Sequence, residues 1–172
     1  MNPPPWTVSH WFNTQAPVTL EGLRGRAVLA VAFQMLCPGC VSQGLPQAQR
    51  ARATFREDDL AIVGLHTVFE HHEAQGSAAA LEAFLHEYRV KFPVGIDAQE
   101  NGSPVTMRAY GMRGTPTTLL YDRSGQLRLH QFGHVEDMAL GASIAAAMAS
   151  EAPISADSQA TAGACSPEGC EQ

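Results

Sequence analysis

Ala27-Val28-Leu29-Ala30-Val31-Ala32-Phe33 leads through Gln34-Met35-Leu36 into Cys37-Pro38-Gly39-Cys40, and apolar residues then recur at helical spacing from Val41. A run with no polar face reads as a central strand covered on both sides. Two thiols two residues apart, at the junction of strand and helix, close into a small disulfide ring with little rearrangement. The free N–H groups and positive dipole end of a helix start favour a thiolate on the first cysteine. A thiolate attacks a disulfide sulfur, and a second thiol resolves the mixed disulfide. The pair therefore reads as a redox centre in which Cys37 attacks and Cys40 resolves. The same spacing also serves half of a zinc site. A zinc ribbon needs a second such pair, however, and the other cysteines, Cys165 and Cys170, have four residues between them near the end of the chain.

The 172 residues suit one domain with a sizeable core, and 45% hydrophobic against 16% charged residues fits a globular chain. A net charge of -6 and the lack of a Lys/Arg cluster argue against nucleic acid as a partner. No apolar stretch is long enough to cross a bilayer, so no membrane partner is expected. Met1-Asn2-Pro3-Pro4-Pro5-Trp6 lacks the basic and apolar regions of a signal peptide. The chain is expected in the cytoplasm, or in the periplasm if a leader has been removed. The sequence specifies no oligomeric state.

Residues 1–16 show no period, and Trp6, Trp11 and Phe12 are expected to anchor them on the core. Strands are expected over 27–34, 60–66 and 92–96, and over Thr117–Asp122 and Gln126–Phe132 joined by the hairpin signal Asp122-Arg123-Ser124-Gly125. A helix of about 17 residues follows the cysteines, with a bend near Gln43 caused by Pro46. Phe69 to Gly76 reads as a polar loop, and Ser77 caps the helix whose apolar face is Leu81, Phe84, Leu85 and Tyr88. Ser103-Pro104 reads as the start of a helix to Tyr110, and a last helix covers about 135–149. The order β-α-β-α-β-α-β-β-α combines parallel crossovers with a terminal antiparallel hairpin. Residues 1–150 are thus expected to form the domain and 151–172, rich in Ala, Ser, Pro and Gly, a flexible tail.

Four stretches carry a family resemblance: Leu23-Arg24-Gly25-Arg26-Ala27-Val28-Leu29, the Cys37–Cys40 pair, Glu87-Tyr88-Arg89-Val90-Lys91-Phe92-Pro93-Val94, and Tyr110-Gly111-Met112-Arg113-Gly114-Thr115-Pro116-Thr117. As an ordered set they resemble the thioredoxin-fold redoxins of the AhpC/TSA group, which include peroxiredoxins and the TlpA/ResA-type thiol-disulfide oxidoreductases. The resemblance implies a three-layer α/β/α sandwich with a mixed sheet. It implies a cis Thr115–Pro116 bond packed on the active-site pair, with Thr115 offering backbone groups to a substrate. It also implies an enzyme without organic cofactor or metal, exchanging electrons with protein or small-molecule disulfides and thiol reductants.

The departures are informative. Leu36 stands where the family usually has Trp, Val31 where thioredoxin has a buried Asp, and Gln43 where ResA-type proteins have Glu. Gln34 and Ala30 occupy the peroxiredoxin Thr/Ser and Pro positions, which demotes a peroxidase using Cys37 to an alternative.

His66, His71, His72 and His86 gather in sequence around the loop after the second apolar strand, either as solvated side chains or as part of the site. His66 is the best placed as an auxiliary group, because it ends a buried strand at the edge where Cys37 is expected. Glu70 is the nearby acid able to move a proton. Cys165 and Cys170 read as a second dithiol that reduces the first, as a soft-metal clamp with or without the histidines, or as idle thiols. The clamp belongs to a third reading, a metal carrier or sensor.

Overall fold

A computed structural model describes residues 2–151; the expected tail with Cys165 and Cys170 lies outside the described residues. The elements, in chain order, begin with β1 (Val8–Phe12), β2 (Ala27–Phe33), α1 (Leu45–Thr54), β3 (Leu60–His66), α2 (His72–Gln75), α3 (Ala78–Glu87) and β4 (Val94–Asp97). A two-rung ladder of β5 (Gln99–Glu100) and β6 (Ser103–Pro104) follows, then α4 (Val105–Ala109), β7 (Thr117–Tyr121), β8 (Leu127–Phe132) and α5 (Asp137–Ala149). The main sheet runs β1-β4-β3-β2-β7-β8. Strands β2, β3 and β4 are parallel, while β1, β7 and β8 each run antiparallel to their neighbours. This is the thioredoxin-like fold.

Every residue of β2, β3 and β7 is buried; β2 is apolar throughout, while β3 ends in His66 and β7 begins with Thr117 and Thr118. On one face Leu29, Val31 and Phe33 meet Leu45 and Ala48 of α1, Leu81 and Leu85 of α3, and Leu140 and Ile144 of α5. On the other, Val28, Ala30 and Ala32 pack with Tyr110, Met112 and Leu23, covered further by Trp6 and Trp11. The expected anchoring of the first residues is realised there: Trp6 Nε1 donates to Tyr121 Oη at 3.3 Å, and Tyr110 Oη donates to the Pro4 carbonyl at 2.6 Å.

Several local expectations need correction. The aperiodic start contains a strand, since Val8–Phe12 pairs with β4 and extends the sheet at its edge. The helix after the cysteines does run unbroken over 38–54, as expected, but its irregularity is a π-helical turn over Cys40–Gly44 ahead of the ten residues of α1. Pro46 follows that turn directly, its missing N–H removes one bond from the helix, and the bend expected at Gln43 takes the form of the widened turn. Ser103 caps no helix. Asp97 reaches α4 from β4 instead, its carboxylate accepting from the Thr106 N–H at 2.7 Å and the Met107 N–H at 2.9 Å. The polar loop contains the short helix α2.

Other expectations hold. Ser77 Oγ accepts from the Ala80 N–H at 3.1 Å, capping α3. At the β7–β8 turn Asp122 Oδ1 accepts from Ser124 and Gln126, and Gly125 takes a left-handed φ of 81°. Bonds from Ser124, Gln126 and Arg128 hold the Asp122 carboxyl below its usual range, although burial works the other way.

Candidate active site

The C-terminal ends of β2 and β3 face one pole of the sheet, the usual place for a site in an open α/β sheet. From β2 the chain turns through Gln34–Cys37, closed by the Cys37 N–H donating to the Gln34 carbonyl at 3.2 Å, and enters the helical segment. Cys37 is half-buried and Cys40 fully buried, and both are free thiols. The Cys40 N–H donates to Cys37 Sγ at 3.3 Å, the kind of helix-start contact that stabilises a thiolate. Burial pushes the Cys40 thiol up to about 12, helped by the adjacent Cys37 side chain and opposed by the Gln34 backbone and Thr115. The two sulfurs are therefore unequal: one is reachable and has a backbone donor, the other is kept protonated at neutral pH.

The loop before β7 closes the site. The Thr115–Pro116 bond is cis, and Cys37 Sγ donates to the Thr115 carbonyl at 3.4 Å. Pro116 lies against the helical segment at two glycines. A Cβ at Gly39 would stand 3.4 Å from its Cδ and one at Gly44 only 3.0 Å from its Cβ, so Gly44 is the position where the close approach favours glycine. The structure thus brings Cys37, Cys40, Thr115 and Pro116 together.

His66 and Glu70 are placed differently. His66 is fully buried against Phe33, with ring centroids 5.3 Å apart, and neither nitrogen has a partner among the described residues. Burial alone holds its ring well below the usual value, at about 4. Glu70 lies at the surface, its carboxylate 3.4 Å from Gln34 Nε2. Among the described residues no three His, Cys, Asp or Glu side chains gather as a metal site. Sequence reasoning missed Gln75, which is fully buried and accepts from the Leu36 N–H at 3.1 Å. It also treated Gln34 only as a missing hydroxyl. Nothing local in the sequence marks a glutamine in a polar stretch as buried.

A half-buried cysteine and a buried one, spaced as C-x-x-C at a helix start and faced by a cis-proline loop, define a thioredoxin-fold dithiol protein. The chain belongs to the AhpC/TSA family, whose model matches residues 4–130. The crystal structure of a thioredoxin-like superfamily protein is 53% identical, with a TM-score of 0.87, covering 89% of this chain and 99% of that one. A thiol-disulfide isomerase from Corynebacterium glutamicum is 40% identical, with a TM-score of 0.81, covering 85% of this chain and 95% of that one. The thiol-disulfide oxidoreductase ResA of Halalkalibacterium halodurans is 25% identical over 122 residues, which are 70% of this chain. The chain spans 62% of that curated relative's length.

These comparisons correct the expectation of a cytoplasmic protein. Neighbours of this fold include an exposed lipoprotein thioredoxin from Streptococcus pneumoniae, 19% identical, and a secreted Mycobacterium tuberculosis disulfide oxidoreductase, 20% identical. The same fold thus occurs in exposed and secreted proteins, and the cytoplasmic expectation does not stand.

Proposed function

We propose that the protein is a thiol-disulfide oxidoreductase in which Cys37 is the attacking thiol and Cys40 the resolving one. The observation that carries this reading is the inequality of the two sulfurs. Cys37 is half-buried with the Cys40 N–H at 3.3 Å, whereas Cys40 is sealed and protonated at neutral pH. The Cys37 thiolate attacks one sulfur of a substrate disulfide, forming a Cys37–substrate disulfide and expelling the other sulfur as thiolate. Cys40 then loses its proton and attacks Cys37 Sγ, which releases the second substrate thiolate and leaves the Cys37–Cys40 disulfide. The substrate gains two electrons and the protein loses two; the reverse sequence with a dithiol donor restores it.

Thr115 and Pro116 shape the groove beside Cys37, with the Thr115 carbonyl already turned to the sulfur. Substrates are protein or small-molecule disulfides, and the reductants are thiols, as the names of the relatives suggest. Trapping tests the assignment. Cys40→Ser is expected to accumulate a mixed disulfide through Cys37, seen by mass spectrometry, while Cys37→Ser loses disulfide exchange. Trapping by Cys37→Ser and not by Cys40→Ser would reverse the roles.

A further inference from the structure

Two glutamines unused by the chemistry above hold the turn that delivers Cys37. The Gln34 and Gln75 side chains are 1% and 0% exposed, yet their amides are bonded. Gln75 Oε1 accepts from the Leu36 N–H at 3.1 Å. Its Nε2 donates to Gln34 Oε1 at 3.1 Å and to the Glu70 carbonyl at 2.8 Å. Gln34 Oε1 takes a second bond from the Phe69 N–H at 3.2 Å. Gln34 also meets the cysteine turn through its backbone: its carbonyl accepts from the Cys37 N–H at 3.2 Å. On the opposite side of the clamp His71, which caps α2, holds a left-handed φ of 50°, unusual for a residue with a side chain.

We propose that Gln75 is a positioning residue for the dithiol: through Leu36 and Gln34 it fixes the 34–37 turn so that Cys37 Sγ stays in front of the Cys40 N–H. An apolar side chain would fill the same space without these bonds, so packing does not explain the amide. Buried polar groups with all their partners specify one geometry. The geometry held here stabilises the reduced pair at Cys37, because an N–H donor favours a thiolate. Stabilising the reduced form makes a dithiol more oxidising. Releasing the clamp is therefore expected to make the pair more reducing. The proposal rests on the disulfide-exchange reading.

The test measures the thiol–disulfide equilibrium of the full chain in glutathione buffers, by quenched alkylation, together with the melting temperature. Gln75→Met is expected to shift the equilibrium toward the disulfide at least threefold, roughly 14 mV at about 30 mV per tenfold change. Gln75→Glu, which keeps the acceptor for the Leu36 N–H, is expected to fall between Met and wild type. A lower melting temperature with a wild-type equilibrium in Gln75→Met would make the residue merely structural and overturn the proposal. If Gln75→Met does not fold, a wild-type equilibrium in Gln75→Glu overturns it equally. A wild type that never equilibrates with glutathione would strike the exchange reading alone. The clamp is then judged by the rate of Cys37 alkylation at one pH, expected to be at least threefold slower in Gln75→Met, with an unchanged rate overturning it.

Discussion

Gln34 and His66 lie at the ends of neighbouring strands: Phe33 is the register partner of His66, and Gln34 follows Phe33 directly. Both side chains are buried, yet the Gln34 amide bonds to Phe69, Gln75 and Glu70 while neither His66 nitrogen has a partner among the described residues. A buried polar group without partners is expensive, so such a group persists only where something else retains it. At the end of β2 the polar atoms organise the cysteine turn. At the end of β3 the ring serves as a filler beside Phe33. Residue type alone suggests the opposite, since histidine is the usual proton carrier and glutamine is not.

The largest expected effect comes from breaking the bonded side of this pair. Gln34→Leu leaves the Phe69 N–H and the Gln75 amide without their acceptor in a buried site. Stripping two such donors costs about 2–4 kcal/mol, readable as a lower denaturation midpoint in urea. Disulfide exchange is expected to slow as well, because the turn bearing Cys37 loses its hold. A variant with wild-type stability would mean that the amide contributes nothing.

The unbonded side makes a prediction in pH. Burial lowers the His66 ring to about 4, against an ordinary value near 6.5, so the unfolded chain binds the proton more readily than the folded one. Stability from this group is complete above pH ~6.5, is lost as pH falls toward ~4, and changes no further below that; the whole loss is about 3 kcal/mol. His66→Leu is expected to flatten that part of the stability–pH curve and, at pH 7, to leave the protein as stable or more stable by about 1 kcal/mol, since two orphaned nitrogens are removed. Exchange activity is expected to stay near wild type. Lost activity in a folded His66→Leu protein would return the ring to the chemistry.

How much of this was legible in the sequence follows from the range of the interactions. Strands β2 and β3 and the Cys37–Cys40 pair were readable because apolar runs and C-x-x-C spacing are local signals. The site loop was readable through its resemblance to a family. Strand β1 was not, because its five residues are held by pairing with β4 more than eighty residues later. The Gln34–Gln75 bond escaped for the same reason, since it joins positions 41 residues apart, whereas the Asp97 cap escaped because the β5–β6 ladder intervenes between the carboxylate and α4. The π-helical turn was half legible, since Pro46 forecast a disturbance but not its form.

The smallest expected effect tests whether the clamp needs a charge. Glu70 touches the network twice, through its carboxylate at 3.4 Å from Gln34 Nε2 and through its backbone carbonyl at 2.8 Å from Gln75 Nε2. The second contact is shorter and survives any substitution of the side chain. The first is long, and water can replace it at the surface. Glu70→Gln is therefore expected to change stability by less than about 0.5 kcal/mol, the ordinary range for an exposed position, and exchange rates by less than about twofold. The measurement that decides is the pH profile of exchange in this variant beside Gln34→Leu. If the acid side of the profile shifts in Glu70→Gln at unchanged stability, the carboxylate moves protons for the dithiol. If only Gln34→Leu is impaired, the bonded end of β2 works by geometry, and the carboxylate takes no part.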